Sequence, residues 1–281
     1  MPIGRNSPAG WTCLVTGAGS GVGRALVHTL ARTGATVWGC DVSPANLAAT
    51  RAELAERPYR DAVVLHQTDV TDRADLEEWI RTAHTATGRI DVLVNNAAFI
   101  RWLDVAEMTV DDAKLTMQTA YDATVYGVKA VYPLMEAARR GHIITIGSSA
   151  GRIYVKGPSA AYAASKAALE AYMRVLQLEL KGTPIRATLV RPGVIAGTQF
   201  FGEHVPSSRL PRFADFTPIS SPQQIAAAIA TSIVNPRDII DIPRILPALY
   251  WAFAAMPRTM QYLVGLGGPA RRDYGPSQES S

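Results

Sequence analysis

Short apolar runs recur along this chain, and helical stretches separate them. Residues 12–16 read TCLVT, 36–41 TVWGCD, 62–67 AVVLHQ, 90–96 IDVLVNN, 142–147 HIITIG and 185–192 IRATLVRP. Strands that are apolar throughout, rather than alternating, are covered on both faces. Such strands with helices between them specify an α/β fold built on a doubly wound parallel sheet. The run at 239–243, IIDIP, is read as a last strand. No repeat or linker divides the sequence, so one domain of 281 residues is expected.

Composition removes other classes. The chain is 48% hydrophobic and 19% charged, with a formal net charge of +4. No concentrated basic block is present, so nucleic acid is not an expected partner. Cys13 and Cys40 are the only cysteines and fall within apolar strands. They are read as buried free thiols in a reducing compartment, with no metal site. The first ten residues, MPIGRNSPAG, have no apolar core, so no signal peptide and a cytoplasmic location are expected.

The first strand runs into TGAGSGVG at 16–23, and a helix follows directly. Glycines there let the backbone turn tightly and come close to a phosphate. The helix N-terminus behind them offers free N–H groups and a positive dipole end to a pyrophosphate. The turn at Gly17, Ser20, Gly21, Val22 and Gly23 is therefore a candidate dinucleotide cradle. Asp41 ends the second strand, eighteen residues beyond Gly23. A carboxylate at that place accepts hydrogen bonds from ribose hydroxyls and repels a 2′-phosphate. Val42 brings no positive charge, so NAD is expected over NADP. The competing reading of Asp41 is a capping residue for the helix that follows.

With these motifs in order, the sequence resembles the short-chain dehydrogenases/reductases in their compact, single-domain, Rossmann-like form. The resemblance runs from about residue 11 to 234. It identifies Thr16, Gly17, Gly21 and Gly23 with the family's glycine motif, and Asp69 and Val70 with its adenine-contacting pair. NNAA at 95–98 is similar to the family's Asn-Asn-Ala-Gly and adds Asn95, Asn96 and Ala97 to the cofactor set; Ala98 departs from it. RPGVIAGT at 191–198 resembles the segment after strand six, which implies that Pro192, Ile195 and Thr198 lie at the nicotinamide.

The run SAAYAASKAAL at 159–169 sets Tyr162 and Lys166 four residues apart, one above the other on a helix of small residues. By itself this is an alanine-rich surface helix. The resemblance makes it the catalytic Tyr-x-x-x-Lys. A tyrosine of reference pKa about 10 is a poor base near neutrality. A lysine ammonium and a cationic nicotinamide would lower it, so that Tyr162 moves the hydroxyl proton of an alcohol while Lys166 holds the nicotinamide ribose. HIITIGSSAG places Ser148 as the serine that hydrogen-bonds the substrate oxygen. Counting back from Tyr162 by the family's commonest interval gives Ser149 instead, and strand alternation allows only one of the two. Ser148 is preferred, because its local motif matches without a gap.

One family residue is missing. Alignment puts Ala120 where the family carries an asparagine, and residues 97–234 contain none. Three readings follow: an NAD-dependent oxidoreductase for an apolar secondary alcohol or ketone; an NAD-binding protein impaired in turnover; and an NAD-using epimerase or dehydratase. The third usually needs a larger substrate domain. Trp102, Tyr154, Phe200, Phe201, Phe213 and Phe216 flank the expected site and favour an apolar substrate. Residues 197–220 read as a substrate loop. The uncharged run ILPALYWAFAAM at 245–256 is too short to span a bilayer. It is expected to cover a partner subunit or touch a membrane surface, and KAALEAYM at 166–173 offers a further apolar face for a homodimer or homotetramer.

Overall fold

A computed structural model describes residues 7–155, 159–196, 212, 215 and 217–266. Seven parallel strands form one sheet: β1 (Thr12–Thr16), β2 (Thr36–Asp41), β3 (Val63–Gln67), β4 (Val92–Asn95), β5 (Gly141–Ile146), β6 (Ile185–Pro192) and β7 (Ile239–Ile242). Their spatial order is β3-β2-β1-β4-β5-β6-β7. The order reverses direction between β1 and β4, which is where the strand ends of a doubly wound sheet open a crevice. β1, β4 and β5, at the centre of the sheet, are buried at every residue; β2 and β6 are buried except at Thr36, Asp41 and Arg186, and β3 and β7, at the edges, are largely half-buried.

The connecting helices are α1 (Gly21–Arg32), α2 (Pro44–Leu54), α3 (Arg73–Thr87), α4 (Val110–Met117), α5 (Ala123–Ala137), α6 (Ala160–Glu179) and α7 (Pro222–Val234). Leu26, Val27 and Leu30 of α1 and Ile225, Ile229 and Ile233 of α7 pack on one face of the sheet. Trp79 and Ile80 of α3, Val131 and Met135 of α5, and Met173 and Leu176 of α6 pack on the other. Several helix starts have a local cause. Ser221 and Gln224 form a reciprocal capping box ahead of α7, Asp72 caps α3, and Ser159 accepts the Tyr162 N–H at the head of α6. Two further helices, α8 (Leu246–Ala255) and α9 (Pro257–Gly265), form a hairpin after β7. Cys13 and Cys40 are buried free thiols, and burial pushes both thiols well above their usual range.

Between α4 and α5 the chain makes a π-helical turn, Gln118–Asp122, with Ala120 buried at its centre. Among the described residues no helix is long and apolar enough to cross a membrane.

Candidate active site

The cleft lies along the carboxyl ends of the strands and encloses about 660 Å³. Its first half is built by the glycine turn. Gly17 has φ +66°, which a side chain would strain, and a Cβ on Gly23 would sit 1.9 Å from the Gly17 carbonyl oxygen. The two glycines thus let β1 turn into α1 with the helix end against the turn. Gly17, Ser20, Gly21 and Val22 line the cleft. Gly23 lies behind them and serves the packing of α1. The Ser20 side chain caps none of the first-turn N–H groups, and that turn holds no acidic residue. These groups face the cleft as donors for an anion.

Asp41 reaches the same cleft from the end of β2. Its Oδ2 accepts the Gly19 N–H at 3.0 Å and its Oδ1 accepts the Ser43 N–H at 3.0 Å. The Asp41 carboxylate therefore does not cap α2; the Ser43 hydroxyl does so, through the Asn46 N–H. A carboxylate has about four acceptor positions, so two remain for ribose hydroxyls. Thr68, Asp69, Val70 and Thr71 form the neighbouring wall. The Asp69 carboxylate is held by the N–H and hydroxyl of Thr71.

One participant escaped the sequence reading. Arg24 donates through both Nε and Nη2 to the Gly19 carbonyl and ion-pairs with Glu53 at 2.6 Å. The Gly19 peptide is thereby fixed from both sides, its N–H by Asp41 and its C=O by Arg24. A cation near a helix N-terminus opposes the dipole, and that misplaced charge was the available signal.

The centre of the cleft is set by Thr16. Its hydroxyl accepts the Asn96 and Ala97 N–H groups, each at 3.0 Å, and so ties the end of β1 to the segment after β4. Asn96 returns Nδ2 to the Thr16 and Gly17 carbonyls. Asn96, Ala97 and Ala98 line the cleft. Asn95 does not: buried at the end of β4, it donates to Thr145 and stands against Gly127 of α5. Its place is in the support behind the cleft wall, because strand alternation turns it away from its neighbour Asn96.

Tyr162, Lys166 and Ser148 converge beyond this point. Ser148, buried at the end of β5, stands close enough to share a hydrogen bond with the Tyr162 phenol. Its hydroxyl also accepts the Ala150 N–H at 3.1 Å. Ser149 lines the cleft too, but it opens a 3-10 turn. Lys166 is 4% exposed, and Nζ donates to the Ile146 carbonyl at 2.8 Å. Burial lowers the Lys166 ammonium to about 8. Burial likewise raises the Tyr162 phenol, and the Ser148 hydrogen bond only partly opposes this. The lowering expected of the phenol needs both the lysine ammonium and a cationic nicotinamide. In this structure Nζ is turned to Ile146, 5.7 Å from the centre of the tyrosine ring, and desolvation dominates.

Pro192 and Ile195 line the cleft opposite the tyrosine. Ile195 joins Ile100, Trp102 and Val194 in an apolar cluster on Tyr162, with the Trp102 ring centre 6.0 Å from that of Tyr162. Thr198, Phe200, Phe201, Phe213, Phe216 and most of the expected substrate loop lie outside the described residues. Tyr154 is exposed and spends its hydroxyl on the Gly151 carbonyl.

The far wall comes from a segment that sequence reading assigned to an external contact. Leu246, Leu249 and Phe253 of α8 and Val264 of α9 line the cleft with Ile153 and Val155. Leu246, Tyr250 and Phe253 recur at helical spacing, so α8 packs one face on its own domain. Arg191 anchors this wall. It is 4% exposed, forks onto Asp241 at 2.8 and 2.7 Å, donates to Glu170 of α6 at 3.0 Å, and lies 4.7 Å from the Tyr250 ring centre.

Comparison with known proteins agrees with this geometry. The sequence profile of the family described as short chain dehydrogenase matches residues 12–208. The chain is 32% identical over 239 residues to 3beta-hydroxysteroid dehydrogenase 2 of Eggerthella lenta, covering 82% of this chain and 91% of that protein. It is 35% identical over 188 residues to the NADP-dependent 3-hydroxy acid dehydrogenase YdfG of Salmonella typhi, covering 66% and 73%. Among solved structures, a short chain dehydrogenase/reductase of Burkholderia phymatum in complex with NAD superposes with a TM-score of 0.79 at 22% identity, covering 90% of this chain and 96% of that one. A serine dehydrogenase complexed with NADP+ superposes at 0.71 with 27% identity, covering 82% and 93%. A parallel sheet whose crevice is cradled by a glycine turn, with this profile match, makes the chain a member of the short-chain dehydrogenase/reductase family of oxidoreductases, which use a nicotinamide dinucleotide.

Proposed function

We propose that the protein is an NAD-dependent oxidoreductase that interconverts an apolar secondary alcohol and its ketone. The observation that carries this reading is the cleft itself. Asp41 stands at one end, Ser148, Tyr162 and Lys166 meet in the middle, and uncharged side chains make the far wall. The glycine turn and the uncapped start of α1 fit a pyrophosphate, and the free acceptor positions of Asp41 fit a ribose diol. A 2′-phosphate would meet a carboxylate there, held in place by two backbone N–H groups. The dinucleotide, when bound, supplies the hydride acceptor or donor.

The protein's own side chains handle the proton and the orientation. Ser148 and Tyr162 would both hydrogen-bond the substrate oxygen. With its phenol raised by burial, Tyr162 is protonated near neutrality and suited to give a proton to a ketone oxygen. For alcohol oxidation it must lose that proton, which the Lys166 ammonium favours. Ile100, Trp102, Ile195, Leu249 and Phe253 exclude water and select an apolar carbon skeleton. A similar protein named as a 3beta-hydroxysteroid dehydrogenase fits this choice.

The test is to titrate NAD and NADP and to follow NADH formation over a panel of apolar secondary alcohols. NAD should bind more tightly and support turnover. Tighter binding of NADP would overturn the cofactor assignment. Normal NAD binding without NADH from any alcohol, or NAD from any ketone, would leave the impaired binding protein that Ala120 suggests.

A further inference from the structure

The hairpin of α8 and α9 walls the cleft with one side, and its other side carries exposed apolar residues among the described residues. Its inner face is Leu246, Tyr250, Phe253, Met260 and Val264. On its outer face Trp251 is 70% exposed and Tyr262 69%, and Met256, Leu263 and Leu266 are exposed beside them. Trp251 is an exception in this chain, since Trp38, Trp79 and Trp102 are all buried. Single exposed apolar residues need no explanation, but five on the outer faces of two successive helices do.

Charge narrows the occupant. From Pro243 to Ala270 the sequence contains no acidic residue and two arginines, Arg244 and Arg258, and Arg271 and Arg272 follow. Arg244 and Arg258 are exposed, and among the described residues neither forms an ion pair. A two-fold contact between copies would set this patch against itself and bring the same arginines together with no acid on the hairpin to answer them. Apolar side chains flanked by Trp, Tyr and Arg match the interfacial zone of an anionic bilayer.

We propose that the outer face of the α8–α9 hairpin docks the protein peripherally on anionic lipid bilayers through Trp251, Met256, Tyr262, Leu263 and Leu266, with Arg244 and Arg258 at the headgroups. Since the inner face of the same hairpin is the apolar wall of the cleft, docking places the cleft beside the phase in which apolar alcohols dissolve. The lipid binding itself stands apart from the choice of substrate and cofactor.

The experiment is vesicle co-sedimentation of the full chain with phosphatidylcholine vesicles and with vesicles containing phosphatidylserine. The double variant Trp251→Glu/Leu263→Glu replaces only exposed side chains, and circular dichroism checks that it folds. Binding should be strong to the anionic vesicles, weak to the neutral ones, and reduced about tenfold or more in the variant. Brominated lipid should quench tryptophan fluorescence in the unmodified protein and much less in Trp251→Phe. No sedimentation with either vesicle would overturn the proposal. So would a wild-type oligomer that the double variant converts to monomer while vesicle binding is absent, because the face would then belong to a second copy.

Discussion

On the proposed reading, the choice of dinucleotide rests on one carboxylate, Asp41. Its two anchored oxygens cannot swing away from a 2′-phosphate. Asp41→Ala should therefore weaken NAD by at least about tenfold, the scale of one charge-assisted hydrogen bond, and leave NADP unchanged or tighter; titration of both dinucleotides checks this. At Tyr162, removal of the hydroxyl in Tyr162→Phe should cost about a hundredfold or more in turnover and leave cofactor affinity nearly intact, as single-turnover kinetics and binding would show. Ser148→Ala should lower turnover far more than Ser149→Ala, since Ser148 is the serine beside the phenol. Lys166 links the site to stability. Its folded pKa of about 8 lies below its ordinary value of 10.5, so the folded state holds fewer protons between these values than the unfolded state. Stability from this group therefore rises with pH from about 8 towards 10.5, by up to ~3 kcal/mol in the limit. The raised Cys13 and Cys40 thiols and the raised Tyr162 phenol work in the opposite direction, the thiols from about 9 and the phenol from about 10. In chemical denaturation at pH 7.5 to 9.5, the stability of the unmodified protein relative to Lys166→Met should rise with pH, the thiol contribution being common to both.

Two elements beside the cleft invite a test at the level of secondary structure. The π-turn Gln118–Asp122 lies where the family's asparagine is absent, and Thr119 from it lines the cleft. A π-turn draws carbonyls out of the helical ladder, and those carbonyls can support a water in place of the missing amide. Ala120→Asn should then raise the rate of a proton-transfer-limited step, or leave it unchanged where such a water is already well held; a solvent isotope effect measured in both proteins separates the two outcomes. The α8–α9 hairpin is the second element. Phe253 is 7% exposed and faces the cleft. Phe253→Ala should raise KM for apolar alcohols severalfold with little change in cofactor affinity, because the cofactor half of the cleft lies on the far side of Tyr162. Steady-state kinetics against cofactor titration reads the difference.

At the scale of the molecule, the sheet order places the glycine turn and Asp41 at the ends of β1 and β2, and Ser148, Tyr162 and Lys166 beyond β5, on the two sides of the reversal between β1 and β4. The outer side of α6 exposes two large apolar residues, Val175 at 53% and Leu178 at 60%, beside Arg174 and Glu179. This is the helix that carries Tyr162 and Lys166, and a subunit packed on it would hold the active site rigid. The double substitution Val175→Glu/Leu178→Glu should convert a homo-oligomer to a folded monomer of lower activity in light scattering. An unchanged mass would place the subunit contact elsewhere.

The sequence alone determined what depends on local spacing. Unbroken apolar runs required strands covered on both faces, and the strands appear where those runs lie, within two residues at each end. The glycine turn, the position of Asp41 and the four-residue offset of Tyr162 and Lys166 were legible for the same reason. The tertiary structure alone decided what depends on neighbours distant in the chain. Asn95, turned from the cleft by strand alternation, found its partner in Thr145 on β5, fifty residues away. Arg24 entered the site through the Gly19 carbonyl, and the Tyr162 phenol rose because burial outweighed the Ser148 hydrogen bond, with Lys166 turned to Ile146. The hairpin showed the same limit most fully. An uncharged helix announces in its sequence that it must cover something, but only the fold, by setting Leu246, Tyr250 and Phe253 inward, shows that half of what it covers is this protein's own cleft.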